Sequence, residues 1–348
     1  MKFSYVMLPD YPLTESLASI QLADQLGFHA VYAADETWHK DLWLLFAAAA
    51  DKTTNIRMGP SVSAVVLREP SLIAQATATL DELTGGRAEV VLSSGNFGLL
   101  AQYGMDWSTQ KPLSRVKEGV QVLRTLLDNG AITLDGEFFT YHGLFTFARP
   151  VQQRVPVKMG AMAGPKSFQV AGEFSDGCHH ALGYTREAYQ YMYDNMKIGA
   201  ERAGRNVDDL DIGAWCVFAV GEDSAVAKEA AKSMVGLYAS SMPGSLLERN
   251  GVSPSEMKPI LDKFIAGDLA GSIDVTPDAL ADKLSVAGTP QECIAKIKEM
   301  KAGGANHMIC AITDATLVKM FMGRDIAGIA TVDEQLRLIA EKVMPEFA

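Results

Sequence analysis

The sequence predicts a closed (β/α)8 barrel, and three observations support this prediction. The chain has 348 residues, of which 48% are hydrophobic, so it is long enough to bury a large core. Short apolar runs alternate with longer segments of helical period along the whole chain. There are eight such runs, and continuous apolar strands joined by helices are typical of a parallel sheet that is covered on both faces. Eight units in a chain of this length favour the closed barrel over an open doubly wound sheet.

The apolar runs and the helical segments between them can be placed in order along the chain. The runs are KFSYVML, HAVYAAD, NIRMGPSV, AEVVLSSG, VKMGAM, GCHHAL, IGAWCVFAV and NHMICAI. Helices are predicted from Thr14 to Gly27, from Asp41, from Pro70, over 114–128, from Pro165, from Arg186 to Ala203, over 290–302 and over 331–344. Gly27 has the usual position of a glycine that ends a helix, and Pro70 that of a proline in a first turn.

Two segments interrupt the alternation of strands and helices. Residues 130–150 read as a hairpin excursion, and residues 236–276 as a helical insertion before the eighth strand. Neither segment has the polar, low-complexity composition of a flexible linker. The sequence therefore predicts one barrel domain with two insertions over residues 1–348.

Charge and composition limit the classes of partner. The net charge of −11 argues against a nucleic-acid or anionic-membrane surface, since both need clustered basic residues. A small anionic ligand held by backbone amides is still compatible with that charge. The four cysteines are far apart and show no CxxC spacing, which indicates free buried thiols in a reducing compartment. The first apolar run is too short for a signal peptide or a membrane span, so we expect a cytoplasmic protein.

The residues that end the predicted strands are the candidates for a site, because active sites of such barrels lie at the carboxyl ends of the strands. The loop DETWHKD after the second strand contributes Asp35, Glu36, Trp38 and His39. Such a group would place an acid or base beside an aromatic wall. The alternative for each residue is a surface or capping role, and Asp41 in particular is a candidate helix cap.

Two further strand ends carry candidates. The segment GAMAGPK, residues 160–166, brings small residues directly into a helix, which suits a phosphate group, although a tight turn that needs glycine is an equal alternative. The segment CHHALG places His179 and His180 next to each other on a strand, where they point to opposite sides. No spacing typical of a metal site, of a GxSxG hydrolase or of a GxGxxG dinucleotide site is present. We therefore expect no metal.

Three longer segments resemble the bacterial luciferase-like superfamily of (β/α)8 oxidoreductases. They are MGPSVSAVVLREPSLIAQATATLDELTGGRAEVVLSSGN, VPVKMGAMAGPKSFQVAGEFSDG and VAGTPQECIAKIKEMKAGGANHMI. Their order and spacing are most similar to the branch that uses the deazaflavin coenzyme F420 and that includes the methylenetetrahydromethanopterin reductases. The resemblance implies a homodimer that binds F420 and a small-molecule substrate at the barrel mouth.

The resemblance also implies roles for single residues. It places a cis peptide bond between Ser61 and Val62, against one face of the deazaflavin ring, and Asp35 near the ring. The backbone of Gly160, Ala161, Ala163 and Gly164 would lie at the cofactor phosphate, and Asn96 would also contact the cofactor. Glu36 is the first candidate for the catalytic acid or base, with His39 and His180 as further proton carriers.

Two positions depart from the pattern of the methanopterin reductases. Val6 and Asn96 stand where those enzymes have carboxylates, and an amide hydrogen-bonds but does not exchange protons. The resemblance therefore implies hydride transfer between the deazaflavin C5 atom and a different small organic substrate. The alternatives are an FMN-dependent monooxygenase of the same superfamily and a non-catalytic cofactor-binding protein.

Overall fold

The eight predicted apolar runs each form a β-strand. The computed structural model describes residues 1–7, 11–181, 183–239 and 242–348. The strands in these ranges are β1 (Lys2–Met7), β2 (Ala30–Asp35), β3 (Arg57–Ala64), β4 (Val90–Ser93), β5 (Ala131–Asp135), β6 (Thr140–Phe145), β7 (Val157–Ala161), β8 (Gly177–Ala181), β9 (Asp211–Val220), β10 (Ser285–Gly288) and β11 (His307–Ile312).

The strand order is that of a closed barrel. Nine strands pair in the order β10-β9-β11-β1-β2-β3-β4-β7-β8, and β8 also pairs with β9. The predicted (β/α)8 fold is therefore confirmed. Every residue of β9 and of β11 is buried, as expected for a parallel sheet that helices cover. The strand β10, which pairs in parallel with the end of β9, was not predicted.

The helices follow the predicted alternation. They are α1 (Leu13–Gln25), α2 (Leu42–Ala49), α3 (Pro70–Thr84), α4 (Phe97–Gln102), α5 (Pro112–Asn129), α6 (Pro165–Phe174), α7 (Arg186–Arg202), α8 (Ser224–Tyr238), α9 (Gly244–Arg249), α10 (Pro254–Ile265), α11 (Leu269–Asp274), α12 (Asp278–Leu284), α13 (Pro290–Ala302), α14 (Ala315–Met322) and α15 (Val332–Leu338). The helices α4, α12 and α14 were not predicted, and of α8 only the last residues fall in the predicted helical insertion. The predicted helix 331–344 is divided into α15, a π-helical turn and the start of a 3-10 turn.

Both predicted insertions have the expected secondary structure. Residues 130–150 contain the antiparallel hairpin β5–β6. Its turn is held by the carboxylate of Glu118, which accepts hydrogen bonds from the backbone N–H groups of Glu137, Phe138 and Phe139. The described part of residues 236–276 is helical and contains the end of α8 together with α9, α10 and α11. All four cysteines are free and buried, as predicted.

The contacts within the chain divide it into two compact units. One unit comprises residues 6–179 and 195–211, within which β2, β3, β4 and β7 are adjacent parallel strands. The other comprises residues 1–5, 180–194 and 212–348 and holds β10, β11, most of β9 and the insertion helices. The prediction of a single domain stays a prediction. No helix among the described residues is long and apolar enough to cross a membrane.

The close packing of β3 against the start of β4 explains why the segment MGPSVS, residues 58–63, contains a glycine. Gly59 lies so near the backbone of Glu89 that any Cβ atom at this position would clash with the Glu89 carbonyl oxygen. Only glycine allows this approach, because every other residue carries a Cβ atom. The strand is thereby fixed against the start of β4 before it reaches Ser61.

Candidate active site

The carboxyl ends of β2, β3, β4 and β7 carry ten of the eleven site residues that the sequence predicts, all in one unit. Asp35 is the last residue of β2, and Ser61 and Val62 lie within β3. The others are Glu36, His39, Asn96, Gly160, Ala161, Ala163 and Gly164. The parallel register of these strands brings their ends to the same edge of the sheet. Ser61 and Val62 lie inside β3, whereas the other eight residues lie at or just beyond the ends of strands. The functional roles of all ten stay predictions.

Asp35 is held by three neighbouring side chains. Its carboxylate accepts hydrogen bonds from the Ser63 hydroxyl at 2.7 Å and from the Trp43 indole Nε1 at 3.2 Å. The Arg68 guanidinium forms a salt bridge with the same carboxylate at 2.9 Å and lies over the Trp43 ring, 5.9 Å from its centroid. Asp35 is therefore a fixed anion that orients an arginine and a tryptophan.

Sequence reasoning missed Arg68, Ser63 and Trp43 as part of this cluster. Arg68 lies 33 positions beyond Asp35 in the chain, so no local spacing connects the two residues. The one available signal was that Arg68 follows the end of a strand, as the other site residues do. Asp41, which also contacts Arg68 at 3.7 Å, has the capping role foreseen for it, since its side chain accepts from the backbone N–H of Leu44.

Glu36 has the electrostatics of a proton carrier. Burial raises the pKa of its carboxyl group above the ordinary value, and the neighbouring Asp35 charge raises it further. His39 acts in the opposite direction and lowers the pKa of Glu36. The backbone N–H of His39 donates to the Glu36 carbonyl oxygen at 3.1 Å, so the two residues form one turn. A carboxyl group whose neutral form persists above its usual pH range is suited to act as a general acid.

The helix α4 is attached to the loop that follows β2. The Trp38 indole N–H donates to the Gln102 side chain at 2.8 Å, and the Tyr103 hydroxyl donates to Thr37 at 3.1 Å. Asn96 caps this helix, because its Oδ1 atom accepts from the backbone N–H of Gly98 at 2.8 Å. A cap explains an asparagine at this position without a cofactor, so the predicted contact of Asn96 with a cofactor stays a prediction.

The structure contains the cis peptide bond that the resemblance implied, between Ser61 and Val62. The strand does not end there, as the sequence suggested, but continues to Ala64 with a register shift against both neighbouring strands. Val62 is half-buried and faces Gly160 on β7. A Cβ atom at position 160 would come within 2.8 Å of the Val62 side chain.

The segment 160–164 leads into α6 with small, half-buried residues. Gly164 precedes the helix and has no side chain that could cap it, and Pro165 occupies the first helical position. The backbone N–H groups at a helix start and the helix dipole attract anions. The residues present therefore fit a phosphate group, as the sequence predicted for this segment.

The adjacent histidines of β8 belong to different units. His179 is 3% exposed and contacts Ser61, whose hydroxyl lies 3.1 Å from the His179 Nδ1 atom. His180 is 1% exposed and packs edge-to-face on Tyr189 with ring centroids 5.5 Å apart. Both rings are thus buried, and the role of His180 as a proton carrier stays a prediction.

Comparison with known proteins assigns the family. The family model described as luciferase-like monooxygenase matches residues 1–307, and the chain belongs to this family. The luciferase-like (β/α)8 fold expected from the sequence is thereby confirmed.

The chain is similar over most of its length to enzymes of two kinds, a reductase and a dehydrogenase. The chain is 29% identical over 313 residues to a 5,10-methylenetetrahydromethanopterin reductase of Archaeoglobus fulgidus, covering 89% of this chain and 92% of the relative. It is 28% identical over 308 residues to an F420-dependent glucose-6-phosphate dehydrogenase of Beutenbergia cavernae, covering 84% and 85%. The fold matches the coenzyme F420-dependent tetrahydromethanopterin reductase of Methanopyrus kandleri with a TM-score of 0.88 at 23% identity, covering 100% of this chain and 99% of that one.

Proposed function

We propose that the chain is an F420-dependent oxidoreductase that transfers a hydride between the deazaflavin C5 atom and a small organic substrate. The observation that carries the proposal is Glu36, a half-buried carboxyl group of raised pKa, next to the fixed Asp35 at a strand end. A reaction in which a substrate takes up a hydride and a proton needs a protonatable acid at this place. The relatives named above perform oxidation or reduction, which agrees with this chemistry.

The residues present fit the cofactor. The start of α6, with Gly164 before it and the small residues Gly160, Ala161 and Ala163 leading into it, would hold the phosphate. Val62 would support the deazaflavin ring, because its side chain is half-buried near the carboxyl end of β3. The bound cofactor supplies a hydride at C5, and the task of the protein is to orient ring and substrate and to manage the proton.

The proton would be held on Glu36, because burial favours the neutral form of its carboxyl group. The Asp35 carboxylate is engaged by other contacts, since it accepts from Ser63 and Trp43 and is paired with Arg68. His39, in the same turn, would exchange the proton with the outside, and His180 is a further proposed carrier.

The absence of carboxylates at positions 6 and 96 argues for a substrate other than a methylene-pterin. Val6 is buried and apolar, and Asn96 is engaged in capping α4.

We infer that the enzyme works in the cytoplasm as a homodimer. Light scattering of the purified protein tests the dimer, which a monomeric mass would contradict.

The first experiment titrates the purified protein with F420 and, in a parallel series, with FMN. Binding is followed by quenching of tryptophan fluorescence, for which Trp43 beside Asp35 is a local reporter. Saturable binding of F420 with weaker binding of FMN supports the proposal. Preference for FMN would instead favour a flavin monooxygenase, and binding of F420 without turnover of any acceptor would favour a non-catalytic protein.

The variant Glu36→Gln tests the acid. We expect it to bind F420 like the wild type but to lose about 10²–10⁴-fold in turnover in the direction that reduces the substrate. Wild-type turnover should fall as the pH rises through the raised pKa of Glu36, because only the protonated form donates, and this limb should be missing in the variant. The exposed Glu82→Gln serves as the control. Unchanged turnover of Glu36→Gln would remove Glu36 from the mechanism.

A further inference from the structure

A chain of buried polar side chains lies behind the ring-binding segment Ser61–Val62. The His179 ring lies between two polar side chains: its Nδ1 atom is within hydrogen-bond distance of the Ser61 hydroxyl, at 3.1 Å, and its Nε2 atom lies 4.0 Å from an Asp211 carboxylate oxygen, too far for a hydrogen bond. The ring also packs edge-to-face on Tyr32, with the centroids 5.1 Å apart. His179 is therefore fixed on several sides at once.

The partners of His179 are fixed in turn by buried charges. The Lys158 ammonium donates to Asp211 at 3.0 Å and to Glu89 at 2.9 Å, and the Tyr32 hydroxyl also donates to Glu89. All of these side chains are nearly inaccessible to solvent. Buried polar groups of this kind must satisfy one another, because water is not available to replace a lost partner. The network consequently has little freedom to rearrange.

We propose that His179 is a positioning residue for the cofactor ring, acting through Ser61 on the Val62 side chain. The inference rests on the function proposed above, because it assumes that the ring lies on Val62. Ser61 and Val62 are consecutive, so a hydrogen bond that fixes the Ser61 side chain also limits the movement of the backbone that carries Val62. A few tenths of an ångström matter here, because the Val62 side chain already lies close to Gly160 on β7.

Two single variants test the contact between Ser61 and His179: Ser61→Ala removes the hydroxyl, and His179→Leu removes the ring. In the full-length protein, Ser61→Ala and His179→Leu should each weaken F420 binding about fivefold, the usual worth of one hydrogen bond in binding. The double variant should bind no more weakly than either single variant, since both remove the same interaction. His179→Asn should bind nearly as the wild type, because an asparagine amide reaches the position of Nδ1.

Ser175→Ala is the matched control. Ser175 is a fully buried serine of the same unit, and its hydroxyl donates to the carbonyl oxygens of Ala171 and Gly177, not to a residue of the site. We expect this variant to lower the melting temperature without changing the F420 dissociation constant. In the site variants the F420 dissociation constant should rise, whereas a smaller folded fraction would lower the apparent kcat and leave this constant unchanged.

The outcomes separate the two proposals. Wild-type affinity of both Ser61→Ala and His179→Leu, or effects that multiply in the double variant, would overturn the role of His179 and leave the proposed function intact. If the His179→Leu chain does not fold, wild-type affinity of Ser61→Ala, or binding by His179→Asn about fivefold weaker than wild type, would overturn the role of His179. A wild-type protein that binds neither F420 nor FMN would overturn the proposed function and this inference together.

Discussion

Lys158 is the residue whose removal we expect to cost the most stability. Its side chain is 3% exposed and lies between the carboxylates of Glu89 and Asp211, at 2.9 and 3.0 Å. Burial alone would lower the pKa of Lys158, but Asp211 and Glu89 outweigh burial and raise it. Lys158→Met keeps the length of the side chain and removes the charge.

The magnitude follows from what the substitution leaves behind. At about 3 Å and an effective dielectric constant of about 20, each contact is worth about 5 kcal/mol before desolvation, which cancels most of it. Glu89 keeps two partners, the Arg57 guanidinium at 2.9 Å and the Tyr32 hydroxyl, whereas Asp211 loses its ammonium partner. A buried carboxylate that loses its ammonium partner costs about 3–5 kcal/mol, and we expect the free energy of unfolding to fall by that amount.

Urea unfolding followed by far-UV circular dichroism measures this change. The double variant Lys158→Met/Asp211→Asn should be more stable than Lys158→Met alone, because the buried charge that lost its ammonium partner is then gone. Lys232→Met is the control. Lys232 is similarly shielded at 15% exposure, but its partner Asp278, at 2.9 Å, is 90% exposed and retains water, so this variant should lose at most about 1 kcal/mol. A cost below about 1 kcal/mol for Lys158→Met, or a double variant less stable than the single one, would refute this reasoning.

Two further predictions concern packing and charge. Gly160→Ala should weaken F420 binding and lower stability by about 1–3 kcal/mol, because its Cβ atom would come within 2.8 Å of Val62. Gly244→Ala, with open space at its Cβ position, is the control, and equal behaviour of the two variants in titration and unfolding would contradict the packing argument. Glu292→Gln should lower stability at pH 7 by about 0.5–1 kcal/mol, since hydrogen bonds from Lys228 chiefly, and from Ser224 and Thr289, hold the pKa of Glu292 at about 2. A lowered carboxyl pKa stabilises above the unfolded value of about 4.3, so melting curves of wild type and variant should converge as the pH falls from about 5 to about 2, and a difference independent of pH would contradict this assignment.

The order of the strands and helices could be predicted from the sequence because its signals are local. An apolar run marks a buried strand, and a proline or a capping residue marks a helix start, whatever the rest of the chain does. Pro70, Pro165 and Pro290 each begin a helix, and Asp41 caps one. The short strand β10 was missed because only two of its four residues, Val286 and Ala287, are apolar, so it forms no apolar run.

The position of the site was also predictable, since strand ends of a parallel barrel meet at one edge. The contacts between the side chains of the candidate site could not be predicted from the sequence. Asp35 meets Arg68, Ser61 meets His179 and Lys158 meets Asp211 across 33, 118 and 53 positions of the chain. These pairs depend on strand register and on which face of a strand each side chain occupies, which no short stretch of sequence encodes. The sequence by itself determined which elements form and where their polar ends lie. Only the tertiary structure decided which polar groups satisfy one another, because a buried charge takes its partner from whichever strand packs beside it.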